Sequence, residues 1–76
     1  MKELIEFVAK SLVDDAEAVH AQSYDRGDQT VIELEVAPPD LGKVIGRQGR
    51  TARALRTLLA AAGHKSRRRT ILDILD

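Results

Sequence analysis

Gly46 and Gly49 stand three residues apart, with Arg47 and Gln48 between them. Val44 and Ile45 precede this turn, Lys43 lies just upstream, and Arg50, Arg53 and Arg56 follow it. These residue types suit one kind of chemistry, the holding of a phosphate chain. Glycine lets another molecule approach the main chain closely. The start of a helix offers unpaired N–H groups and the positive end of its dipole. The bases add attraction. Taken alone, two glycines three apart also describe an ordinary corner between two helices, so the surroundings must separate the two readings.

Other chemistries lack their parts. A nucleotide-hydrolysing turn needs Gly-Lys-Ser/Thr and nearby acids to hold a metal. Neither is present, and from Leu41 to Leu72 the chain has no acid at all. There is no cysteine, hence no disulfide or thiolate site. The two histidines, His20 and His64, read as surface residues. No catalytic group, metal or cofactor is therefore expected. The formal net charge of zero conceals a division: residues 1–40 carry ten acids against three bases, and residues 41–76 carry nine bases against two acids. The turn lies in the basic half, which points to nucleic acid or another polyanion. A solvated basic face is the plainer alternative.

The elements that must position the turn can be read in order. The chain of 76 residues predicts one domain, 1–76, with a modest core. No apolar run approaches the ~18 residues of a membrane span, and no signal peptide opens the chain, so a cytoplasmic protein without membrane contact is expected. Leu4, Ile5, Val8 and Leu12 repeat at helical spacing and predict a helix over 2–14. Phe7 falls off that stripe, either as a lone exposed residue or as part of a partner surface. Alternation over 17–24 predicts a strand, and Asp25-Arg26-Gly27-Asp28 a turn. Thr30 to Ala37 reads as a second strand, with Ile32, Leu34 and Val36 facing the core. Pro38-Pro39 ends it, and residues 39–45 form a short helix. After the turn, Ala52, Leu55, Leu59 and Ala62 predict a helix over 50–62, with Leu58 beside the stripe and Gly63 as its stop. His64 to Arg68 is a basic loop and Arg69 to Leu75 a last strand, parallel to the second through a right-handed crossover. Arg67-Arg68-Arg69 either extends a phosphate track or marks a solvated strand edge. The fold class is α+β: α-β-β-α-α-β, a three-stranded mixed sheet with three helices on one face.

This order, with Ile45-Gly46-Arg47-Gln48-Gly49, resembles a K-homology (KH) domain of type II. The likeness extends to the small bacterial single-KH proteins. It is carried by Lys2-Glu3-Leu4, Val36-Ala37-Pro38, the run Lys43 to Ala52, Arg56-Thr57-Leu58-Leu59 and Asp73-Ile74-Leu75-Asp76. The resemblance implies binding of single-stranded RNA and RNA chaperone activity. It also implies self-association as a homodimer, or pairing with a larger multidomain KH protein of the KhpB type (Jag or EloR), and a link to cell-envelope homeostasis and cell length. KH domains clamp about four nucleotides with the Gly-x-x-Gly loop. On this chain Gly46 and Gly49 would open the backbone, Arg47 and Gln48 would face phosphates, and Lys43, Arg50 and Arg53 would flank the track. Ile45 would be the apolar floor. A protein–protein adaptor using Phe7 or the Leu55–Leu59 helix is the rival reading.

Overall fold

Apolar spacing sets which side of each element turns inward. A computed structural model describes residues 1–63 and 69–76. The basic loop expected over 64–68, with His64, Lys65, Arg67 and Arg68, lies outside the described residues. Helix α1 (Lys2–Leu12) stops two residues earlier than its spacing predicts, because Val13 turns extended at φ −98°, ψ 163°. It buries Ile5 and Ala9. Leu4 and Leu12, expected on the buried stripe, stay 38% and 39% exposed. The small Ala9 side chain lets this side of the helix lie close to the sheet, which leaves the two leucines at its margins. Phe7 is 70% exposed.

A turn of 3₁₀-helix, Ala16–Ala18, occupies the beginning of the segment expected as strand. Strand β1 (His20–Arg26) therefore starts late and takes in the first two residues of the expected turn. It pairs antiparallel with β2 (Gln29–Glu35), Arg26 opposite Gln29, so that Gly27-Asp28 closes a two-residue hairpin loop. Pro38–Asp40 then makes a 3₁₀ turn and α2 (Leu41–Ile45) follows it. Helix α3 spans Arg50–Gly63, and strand β3 spans Arg69–Ile74. β3 lies parallel to β2, giving the sheet order β1-β2-β3. The parallel pairing matches the expected crossover, and the arrangement is the expected α-β-β-α-α-β with three helices on one face of a mixed sheet.

The core forms between that face and the helices. Ile5 and Ala9 of α1, Val44 of α2 and Leu55 and Leu59 of α3 meet Ala21, Ile32, Leu34, Val36 and Leu72 from the sheet side. Ile32 and Leu34 are wholly buried, in the core as their alternation predicts. Ala62 of the expected α3 stripe is exposed, and Leu58 is 40% exposed. On the opposite sheet face Val31, in register with Tyr24 and Ile71, is nonetheless buried.

Candidate nucleic-acid interface

A five-residue helix does not hold its shape alone, because nucleation costs more than so few bonds return. α2 keeps its place because Val44 is buried in the core and because the acid before it is anchored. Asp40 is buried, and its Oδ2 accepts the Asp15 N–H at 3.0 Å. Its Oδ1 accepts the Lys43 amine at 3.1 Å, and the same amine donates to Asp14 Oδ2 at 2.8 Å. The Asp15 N–H, helped by Lys43, holds the Asp40 carboxyl below its ordinary value against the effect of burial. Asp14 and then Asp40 raise Lys43. A lowered carboxyl stabilises the fold at pH values above its unfolded pKa and ceases to do so as the pH falls through the folded one. A raised amine does the reverse at the alkaline end. Stability is thus expected to fall away below the ordinary Asp value of 3.8 and above the ordinary Lys value of 10.5. Urea unfolding across the acid range checks the first limb: Asp40→Asn should show a shallower acid loss than the parent chain. An equal loss in both would assign the acid limb to other carboxylates.

From α2 the chain enters the turn. Gly46 takes φ 77°, ψ 170°, and its N–H donates to Gly42 O at 2.8 Å. Gln48 is left-handed at φ 58°, ψ 26°, and Gly49 follows at φ 74°. The positive φ of Gln48 was not legible in the sequence, where only the glycines suggested such backbone. Gly49 N–H donates to Gly46 O at 3.1 Å and Arg50 N–H to Arg47 O. Neither bond uses the N–H of Arg47 or Gln48, and successive amides of this kind can serve an anion.

Arg47, Gln48, Arg50 and Arg53 are exposed, and among the described residues none of these three arginines makes an ion pair. Ile45 is 37% exposed, an apolar surface beside the turn, while Val44 supplies the buried floor. Lys43 stands apart from this group because its amine faces Asp14 and Asp40. Arg56, which the resemblance does not place along the track, lies on the same row of α3. Its Nη2 donates across to Leu72 O of β3 at 3.5 Å. The signal for it was the spacing Arg50, Arg53, Arg56, one row along α3.

β3 is an edge strand. Leu75 N–H donates to Leu34 O at 2.9 Å. In a parallel pair alternate residues turn their amides to the neighbour, so those of Thr70, Leu72 and Ile74 face outward. Helix α3 thus adjoins this strand, and the Arg56–Leu72 bond spans the two.

The family model for the KH domain of KhpA/KhpB matches residues 2–74. The chain belongs to the KhpA/KhpB family of KH domains. The RNA-binding protein KhpA of Halalkalibacterium halodurans is 51% identical over 76 residues, the whole of both chains. The RNA-binding protein KhpA of Aquifex aeolicus is 49% identical over all of this chain and 96% of its own. That of Chlamydia caviae is 38% identical over all of this chain and 97% of its own. No solved structure matches. Among the described residues no group of three or more His, Cys, Asp or Glu side chains could hold a metal ion. No described helix is long and apolar enough to cross a membrane.

Proposed function

We propose that the Gly46–Gly49 turn holds the backbone of single-stranded RNA and that Arg47, Gln48, Arg50 and Arg53 supply its polar contacts. The observation that carries this reading is the row of exposed arginines, without an ion pair among the described residues, leading away from a turn with three residues at positive φ. Ile45 gives an apolar rest for a base or sugar, and Arg56 extends the row toward the β3 edge. Phosphate contacts set register and strength but carry no sequence information. Phe7 is on α1, and Tyr24 is on β1 at the sheet edge opposite β3, so neither aromatic is offered to the bases here. Binding is therefore weak and tolerant of sequence, as suits an RNA chaperone.

A footprint of about four nucleotides gains from a second site. A homodimer, or a pair with a KhpB-type multidomain KH protein (Jag/EloR), provides one, in a single-domain cytoplasmic protein that acts after transcription on cell-envelope homeostasis and cell length. The exposed Leu58 and Phe7 are available for such pairing, and they also support an adaptor without direct RNA contact as the second reading.

Salt dependence tests the electrostatic part. With three to four phosphates neutralised, the log–log slope should be roughly −2 to −3, from about −0.7 per phosphate on single strands. Arg50→Ala and Arg53→Ala should each make it shallower by about 0.7. An affinity for a short RNA that stays level from low to moderate salt would refute the proposed track.

A further inference from the structure

Lys43 is three residues before the first glycine of the turn, and by type and position it reads as one more cation for the phosphates. Its surroundings argue otherwise. Its amine lies 2.8 Å from one carboxylate and 3.1 Å from another. The three groups together carry a net charge of −1, which repels an approaching phosphate. The two acids also differ. The Asp14 side chain is 86% exposed, whereas that of Asp40 is 4% exposed. Exposed ion pairs contribute little, but a carboxylate taken out of water needs its partners. Asp40 has one N–H from Asp15 and the Lys43 amine.

The ends of this cluster belong to separate parts of the chain. Asp14 and Asp15 lie in the link between α1 and the Ala16–Ala18 turn, while Asp40 caps the start of α2 and Lys43 lies in its middle. One amine and one buried carboxylate thus tie α2 to a segment more than twenty residues upstream. The turn leaves the other end of the same short helix, and its first bond runs from Gly46 N–H to Gly42 O, beside Lys43. Any tilt of α2 moves Gly46 with it.

We propose that Lys43 is a positioning residue: through Asp40 and Asp14 it fixes α2, and with it the Gly46–Gly49 turn, in the geometry that receives RNA, and it does not itself meet a phosphate. This rests on the turn being the RNA site. It separates two roles that look alike in sequence. A cation on phosphate contributes to the salt slope; a cation that holds the loop contributes affinity at every salt concentration alike.

The test uses the full chain and a short single-stranded oligouridine, with Lys43→Gln, Lys43→Arg and Asp14→Asn. Hydrogen exchange of the Gly46 amide is followed without RNA, and affinity is followed against salt. For Lys43→Gln the Gly46 amide should exchange faster by about tenfold. RNA affinity should fall by about fivefold with an unchanged slope. Lys43→Arg, which keeps both pairs, should restore the two readouts. A slope made shallower by about 0.7 with unaltered Gly46 exchange would show Lys43 on a phosphate and overturn the proposal. Unaltered affinity would overturn it as well. Should Lys43→Gln not fold, Asp14→Asn decides, since that side chain is exposed: faster Gly46 exchange at constant slope supports positioning, and unaltered Gly46 exchange, or a steeper slope with the amine released onto RNA, overturns it. Failure of the RNA site itself is read separately, from a folded loop variant that keeps its affinity.

Discussion

Arg47→Asp together with Gln48→Asp is expected to abolish RNA binding and to leave the fold standing. Both side chains are exposed, so their replacement removes little buried area. Gln48 sits at φ 58°, ψ 26°. Aspartate is one of the few non-glycine residues that tolerate this region, so the backbone is not asked for anything new. The two acids also precede the N-terminus of α3, where negative charge is favourable. The stability change should stay within about 1 kcal/mol, as for surface positions without a special role. The effect on RNA is the opposite. One cation is lost and two anions are set where phosphates must approach, between glycines that keep their backbone. Circular dichroism melting and fluorescence anisotropy on one preparation decide the matter. A folded variant with parental RNA affinity would move the binding site to another face.

Gly46→Ala is expected to cost about 2–4 kcal/mol of stability and to remove RNA binding with it. Two physical terms add. The backbone at φ 77°, ψ 170° is a region that essentially only glycine occupies. A Cβ built there would also overlap Thr51 Oγ1 and stand 2.8 Å from both Cβ and N of Thr51. The hydroxyl can rotate, but the amide nitrogen belongs to the first turn of α3 and cannot move without it. Gly49→Ala is the control. Its φ is 74°, yet a Cβ there meets nothing within 4 Å. Only the backbone term remains, about 1–2 kcal/mol. Denaturant unfolding of the two variants measures the difference. Equal costs would mean that Thr51 yields freely and that the close approach of turn and helix is not what demands the first glycine.

These two glycines show where reading from sequence stopped. Their spacing announced a turn, and its place between a short helix and a long one followed from the prolines and the apolar pattern. That the first glycine is required by Thr51, and the second by its own φ alone, depends on how closely α3 folds back. The same limit applied to α1. Helical periodicity was legible, but periodicity leaves the helix free to rotate about its axis. Docking on the sheet chose Ile5 and Ala9 and left Leu4 and Leu12 at the margin. Strand β1 began three residues late because Ala16–Ala18 closed a local 3₁₀ turn that competes with extension.

What the sequence by itself determined is the local grammar: alternation in Ile32, Leu34 and Val36, the stripe of Ala52, Leu55 and Leu59, the helix-starting prolines, the Gly-x-x-Gly spacing, and the concentration of bases in the second half. Each of these follows from a period or a backbone preference shared by neighbours in the chain. The tertiary structure alone decided which cations are free. Lys43 finds Asp14 29 residues away, Arg56 finds Leu72 16 residues away, and Arg47, Arg50 and Arg53 find no acid among the described residues. A charge is spent or spared by what folding brings within about 4 Å of it, and no spacing along the chain encodes that distance.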